Sequence, residues 1–317
     1  MFAHSAGCGR YAPSPSGDLH IGNLRTAVLA WLFARSTARR FVLRVEDLDR
    51  QRARDPQSQI DDLRSLGLDW DGPISVQSEH LDRFDDALAD LQRRGLVYEC
   101  FCTRREIAEA VRAPHGIPGQ YPGTCRHLSD AERARRRRER PPALRLRTGT
   151  AAETVHDLLH GHFTGAVDDL VLRRADGAYA YNFAVVVDDA WSGVDQVVRG
   201  DDLLASAPRQ AVLARMLGWR PPEYAHVPLV VGAAGHRLAK RDGAVTLRQL
   251  EAAGHPTTAV LGWIARSLGS AVDVDDAADS PEHAPEPPVG LLRRMLETFD
   301  PTALPLEPWT FATLAAQ

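Results

Sequence analysis

Two short segments concentrate side chains suited to phosphate chemistry. The first is Arg10-Tyr11-Ala12-Pro13-Ser14-Pro15-Ser16-Gly17-Asp18-Leu19-His20-Ile21-Gly22-Asn23. Its prolines favour extended backbone, Gly17 permits a tight turn, and Asp18 or Ser16 can cap the helix that follows. Backbone N–H groups at such a strand–turn–helix junction can hold a phosphate, with His20 and Asn23 adding side-chain donors. The second segment, Gly235-His236-Arg237-Leu238-Ala239-Lys240-Arg241, is a basic loop behind an apolar strand. It can stabilise negative charge developing on a departing phosphate group.

A third constellation is Cys100-x-Cys102 with Tyr121-x-x-x-Cys125. Three thiolates are natural zinc ligands, and a fourth donor would complete a tetrahedron. On chemical grounds His115 or His127 can supply it, since imidazole is a commoner zinc donor than phenolate. Glu46 directly follows an apolar strand, where a carboxylate can hold an ammonium group. Arg133, Arg135, Arg136, Arg137, Arg138 and Arg140 crowd one capped helix, which reads either as a solvated face or as a contact for an RNA backbone.

The elements that must position these residues follow from periodicity. Leu24, Val28, Leu29, Leu32 and Phe33 mark a helix, residues 40–45 a short buried strand, and Ile60, Leu63 and Leu66 a second helix ending near Gly67. Phe84, Leu88 and Leu91 lie on a third helix that stops at Gly95. This alternation predicts a doubly wound α/β fold with a parallel sheet. Thr103–Glu106 and Ser129–Glu132 are capping boxes opening helices. Short strands are expected at 144–147, 154–157 and 168–173, and a turn at Asp176-Gly177 leads into an expected strand, 179–187. Further strands are expected at 195–200 and 227–231, and helices beyond Thr246, interrupted by an acidic, proline-rich connector at 273–288.

The chain has 317 residues, 44% hydrophobic and 25% charged, with a net charge of −4. That size and composition predict a folded globular protein with a sizeable core rather than disorder. Any nucleic-acid partner must be met by a local basic face. Residues 1–10 lack the pattern of a signal peptide and no apolar run reaches membrane-spanning length, so a cytoplasmic protein is expected. Three of four cysteines fall between 100 and 125, which favours a metal site over a disulfide framework.

The first segment resembles the His-Ile-Gly-His signature of class I aminoacyl-tRNA synthetases. The preceding Arg-Tyr-Ala-Pro-Ser-Pro-Ser-Gly narrows the resemblance to the glutamyl and glutaminyl branch. Asn23 stands where that signature ends in histidine. The basic loop looks like the Lys-Met-Ser-Lys-Ser loop of the same class, with Arg237 for its first lysine, Ala239 for its serine, and Lys240 matching the second lysine. The Cys and Tyr pattern resembles the glutamyl-queuosine tRNA(Asp) synthetases, where the tyrosine of Tyr-x-x-x-Cys is a zinc ligand.

That resemblance implies an ATP-dependent ligase. It activates L-glutamate to glutamyl-adenylate and passes glutamate to the queuosine base at the wobble position of tRNA(Asp). His20 and Lys240 would be catalytic, with Gly22 and Asn23 joining them at ATP. Arg10, Tyr11, Ala12, Pro13, Ser14, Glu46, Tyr181 and Arg199 would hold glutamate. One zinc ion on Cys100, Cys102, Tyr121 and Cys125 would be structural, and magnesium would accompany ATP. The implied organisation is a Rossmann-like catalytic domain in two halves, 1–95 and 178–245. Between them lies a zinc-binding, acceptor-type insertion, 96–177, and a helical subdomain follows, 246–317. That last segment is too short for an anticodon-binding region. A monomer with no membrane partner is expected. The rival expectations are a shortened enzyme charging a tRNA 3′ end and a catalytically silent RNA-binding paralogue.

Overall fold

The central strand, β1 (Cys8–Tyr11), is buried at all four positions, as a parallel strand covered on both faces requires. The proline-rich turn leads to α1 (Ile21–Ser36), buried along most of its length because it is apolar nearly all round. β2 (Arg40–Val45) runs parallel to β1, opposing Val42 to Arg10 and Leu43 to Tyr11. After them come α2 (Gln57–Ser65), β3 (Ser75–Val76), α3 (Leu81–Arg93), β4 (Val97–Cys100), α4 (Arg104–Val111) and α5 (Asp130–Glu139). β5 (Ala143–Leu146), β6 (Ala152–Asp157), β7 (Gly161–Ala166), β8 (Val171–Arg173), α6 (Tyr181–Trp191), β9 (Gln196–Gly200) and α7 (Ala207–Met216) follow. The last elements are β10 (Glu223–Val227), β11 (Val230–Val231), α8 (Leu247–Ala252), α9 (Thr257–Ser267), α10 (Pro288–Glu297) and β12 (Trp309–Thr310). This computed structural model describes residues 7–111, 120–232, 235, 238, 245–270 and 287–311.

The chain divides into two units, Met1–Val76 with Gln196–Asp202 and Tyr224–Gln317, and Gln77–Asp195 with Leu203–Glu223. In the first, the strands lie in the order β3-β2-β1-β9-β10, and β3, β2, β1 and β9 run parallel to one another. The order reverses direction at β1. In a doubly wound sheet such a switch point, beyond the carboxyl ends of the strands, is where ligands bind. α8, α9 and α10 pack in series, and α10 reaches α1. Gly67 serves this packing. Its φ is +82°, and a Cβ there would stand 2.8 Å from the Val289 nitrogen at the start of α10.

The second unit contains all of 96–177 together with α3, α6 and α7. β4, β5 and β8 form an antiparallel sheet, and β6 and β7 a hairpin. The β7 strand was not expected from the sequence, since its two glycines dilute the alternating pattern. Gly165 is required there, because a Cβ would lie 2.7 Å from Pro208 Cγ.

Three local expectations are corrected. The turn at Asp176-Gly177 is present, with Gly177 at φ +89°, but Tyr181–Trp191 is the helix α6 and not a strand. α6 packs against α3 and α7, so Phe183–Val187 is buried without polar interruption, and an apolar run of that length does not distinguish helix from strand. The expected strand 227–231 is split into β10 and β11 at Pro228, which has no N–H to donate to a ladder. The cap of α1 is His20 rather than Asp18 or Ser16. The acidic connector falls largely outside the described residues.

Candidate functional site

The junction between β1 and α1 is built by reciprocal hydrogen bonds. Asn23 N–H donates to His20 Nδ1 at 3.4 Å, and His20 N–H donates to Asn23 Oδ1 at 3.3 Å, which closes a capping box. The carboxamide at position 23 thus satisfies a backbone donor at the helix mouth. Tyr11, buried, donates its hydroxyl to the Asn23 carbonyl at 3.2 Å, and burial pushes its ionisation upward, keeping that proton in place. Gly22 leaves the imidazole its space, since a Cβ there would lie 3.2 Å from His20 Cε1 and Nδ1. The turn before it is pinned by Gln59, whose Nε2 donates to the Ser14 and Gly17 carbonyls at 3.2 and 2.6 Å.

The chain that follows the basic loop is tied to this mouth. Val245 accepts from Ile21 N–H at 3.1 Å, and Thr246 bridges His20. Within the loop Leu238 N–H donates to the Val230 carbonyl at 3.4 Å, and a Cβ on Gly22 would lie 3.4 Å from Val230 Cβ. Lys240, Arg237 and Ala239 lie outside the described residues, as does His115.

At the carboxyl ends of β1, β2 and β9 stand three buried charged residues, Arg10, Glu46 and Arg199. Arg10 Nη1 donates to the Val198 carbonyl of the adjacent strand at 3.2 Å. Glu46 accepts from Arg44 at 3.2 Å, and its N–H donates to the Pro13 carbonyl at 2.9 Å. Arg199 Nε donates to His226 Nε2 at 3.0 Å, and its guanidinium lies 5.5 Å over the Tyr224 ring. Ala12 and Pro13 are half-buried and Ser14 is exposed on the connecting turn. Tyr181 begins α6 in the second unit, with its side chain 44% exposed.

Charged groups are costly to bury unless partnered. Buried charges gathered at a switch point therefore suit a zwitterionic ligand beside the α1 mouth. Two positions were not singled out from the sequence. His226, fully buried and stacked on Tyr224, fixes the Arg199 guanidinium by accepting at Nε2. Arg25, almost fully buried in α1, donates to the Pro228 carbonyl at 2.7 Å and to Ser267 Oγ at 3.0 Å. Burial lowers its pKa to about 10, so it remains charged at neutral pH while it fixes the chain between β10 and β11. The only sequence signal for Arg25 was an arginine next to the apolar stripe of a helix.

In the second unit Cys100, Cys102 and Cys125 converge, with their sulfurs all within 4.8 Å of one another. Cys102 Sγ is 3.5 Å from Cys125 Sγ, and Tyr121 Oη lies 3.3 Å from Cys100 Sγ and 3.8 Å from Cys102 Sγ. A Zn–S distance of about 2.3 Å puts tetrahedral sulfurs about 3.8 Å apart, so the donor set fits such an ion. Phe101 N–H donates to Cys125 Sγ at 3.4 Å, and Arg145 covers the Tyr121 ring at 3.7 Å. The neighbouring Cys102 and Tyr121 pull the Cys100 thiol well below the usual thiol range, against the effect of burial. His127 is exposed. Among the described residues no helix is long and apolar enough to cross a membrane.

Comparison with known proteins agrees with this geometry. Residues 8–282 match the family described as tRNA synthetases class I (E and Q), catalytic domain. A Nocardia farcinica protein named glutamyl-Q tRNA(Asp) synthetase is 59% identical over 96% of this chain and 92% of its own. A protein of that name from Cutibacterium acnes is 50% identical over 92% of this chain and 84% of its own. The crystal structure of a glutamate tRNA ligase from Elizabethkingia meningosepticum, in complex with its amino acid, superposes with a TM-score of 0.76 at 25% identity. It covers 97% of this chain and 67% of that one. The chain therefore belongs to the class I tRNA synthetases of the E and Q branch.

Proposed function

We propose that this chain is an ATP-dependent ligase that activates L-glutamate and joins it to the queuosine base at the wobble position of tRNA(Asp). The observation that carries the reading is the near full-length similarity, at 59% identity, to a protein named for that activity. The buried charges at the switch point support it.

In the first step an oxygen of the glutamate α-carboxylate attacks the α-phosphorus of ATP. The bond to the bridging oxygen breaks, leaving glutamyl-adenylate and pyrophosphate. His20, Gly22 and Asn23 hold ATP at the α1 mouth, and Lys240 neutralises charge on the leaving phosphates. These groups act by electrostatics and position rather than by transferring a proton. Arg199 offers its planar fork to the glutamate γ-carboxylate and Glu46 faces the ammonium group. Arg10, Tyr181 and the turn Tyr11, Ala12, Pro13 and Ser14 complete the glutamate contacts. Magnesium carried with ATP supplies further charge neutralisation on the phosphates. In the second step a hydroxyl of the queuosine cyclopentene-diol attacks the activated carbonyl and AMP leaves.

Zinc is assigned to Cys100, Cys102, Cys125 and Tyr121. Four protein donors leave no open position, so the ion would be structural. We place the enzyme in the cytoplasm, acting as a monomer. Glutamate-dependent ATP–pyrophosphate exchange, run beside glutamine and aspartate, tests the first step. Exchange supported by glutamate alone is expected, and no exchange with any of the three would overturn the proposal.

A further inference from the structure

The arginine-rich helix α5 is not used by the chemistry above. Residues 126–147 contain nine arginines and three carboxylates, a net charge of +6, in a chain whose total is −4. Part of that charge is structural. Arg126 is bound to the buried Asp169 at 2.7 Å, and the buried Arg145 donates to the Asp169 carbonyl at 2.7 Å. Arg136, against Cys125 Sγ at 4.0 Å, and Arg140, donating to the Phe101 carbonyl at 3.2 Å, are also tied inward, whereas Arg135, Arg137 and Arg138 are exposed. Arg133 and Arg137, one helical turn apart, line a cleft of about 410 Å³ together with Arg147, Gln92, Glu99 and Tyr98. The cleft wall is rigid: Tyr98 donates its hydroxyl to Asp169 at 2.7 Å, and Arg147 lies over the Tyr98 ring at 4.7 Å.

The partners these arginines already have are weak competitors. Arg137 pairs with Glu99 at 2.8 Å, Arg133 with the exposed Asp130, and Arg135 with Glu139 at 2.8 Å. At least one partner of each pair is exposed to solvent, and such pairs contribute little and can exchange for a stronger anion. Arg138 is exposed, and its guanidinium has no hydrogen bond or ion pair among the described residues. Arginine forks suit phosphate oxygens in particular, and a concave basic surface built from them suits a continuous phosphodiester chain.

We infer that this cleft and the outer face of α5 grip the phosphodiester backbone of an RNA, the tRNA substrate under the function proposed above. The contact positions the RNA without reading its sequence. The inference rests on that proposed function for the identity of the RNA, but its test does not require glutamate transfer.

The test is fluorescence anisotropy of the full-length protein with labelled tRNA(Asp), with and without queuosine, and with an unrelated tRNA, from 50 to 200 mM salt. Arg137→Ala/Arg138→Ala should weaken binding at least about tenfold at the lower salt. It should also reduce the slope of log Kd against log salt by about 1.5, as two lost phosphate contacts require. All three RNAs should lose affinity alike. Glu99→Gln, which removes the carboxylate competing for Arg137, should tighten binding about threefold. Glutamate-dependent exchange in the same preparations should be unchanged, which separates a failed surface from a failed enzyme. An unchanged Kd and slope in the double variant would overturn the inference. So would a loss confined to the queuosine-bearing RNA, or a wild-type protein that binds none of the three.

Discussion

Substituting Gly22 by alanine separates the stability of the α1 mouth from its chemistry. The added Cβ would lie 3.2 Å from His20 Cε1 and Nδ1 and 3.4 Å from Val230 Cβ. The imidazole must therefore move by a few tenths of an ångström. Its hydrogen bond from Asn23 N–H is already 3.4 Å long, so the cap is weakened or lost, at a cost of about 1 kcal/mol. Alanine in a helical position gains back about 0.8–1 kcal/mol over glycine. The two effects nearly cancel, and Tm should move by less than about 2 °C. Catalysis has no such compensation. Misplacing a positioned group by about 1 Å can cost 10²-fold, so a smaller displacement of His20 should lower kcat for ATP–pyrophosphate exchange about tenfold. That corresponds to about 1.4 kcal/mol of lost transition-state stabilisation. KM for glutamate should stay within twofold, because Arg10, Glu46 and Arg199 sit on other elements. Exchange within twofold of wild type would refute the reasoning. A fall in stability beyond about 3 kcal/mol would also refute it, by showing that the close approach is a packing constraint on the whole mouth.

Three other perturbations have defined outcomes. Asp62 is buried in α2 with Arg248 Nε 3.9 Å away, and burial raises its pKa to about 6. The folded protein therefore keeps this proton between about pH 4 and 6 where the unfolded chain has lost it, and stability falls as pH rises through that window. The penalty is complete above pH 6 and reaches up to about 3 kcal/mol, the attraction of Arg248 included. Asp62→Asn should thus be more stable than wild type at pH 7.5 and equal to it near pH 4; a constant difference across that range would contradict the assignment. Gly67→Ala combines a positive φ with a Cβ 2.8 Å from backbone, so calorimetry should show a loss of about 2–4 kcal/mol with unchanged exchange per folded molecule. Metal analysis should find one zinc per chain, and chelation or Cys125→Ser should remove it and lower Tm. A metal-free wild type with the same Tm would remove the zinc assignment.

The sheet was legible in the sequence because strands such as 40–45 are short apolar runs between helical patterns. Glu46 was singled out by its place after a strand and Arg10 and Arg199 by the resemblance, and the structure places all three, buried, at the carboxyl ends of β2, β1 and β9. The helix α6 was not legible, since a segment packed between two helices has no polar face to reveal its period. His20 displaced Asp18 as the cap because its imidazole pairs with Asn23, a reciprocity that neither residue shows singly. His226 and Arg25 escaped notice because their partners lie 27 and 203 residues away in the chain. The three cysteines were legible as a cluster of sulfurs, but the place of Tyr121 beside them rests on tertiary packing under Arg145.

The central claim is that glutamate is carried to queuosine. Its most direct measurement is incorporation of labelled glutamate into two preparations of tRNA(Asp), one bearing queuosine and one with unmodified guanosine at the wobble position. The account predicts ATP-dependent labelling of the first and none of the second. Equal labelling of both would contradict it and would place the product on the tRNA 3′ end instead.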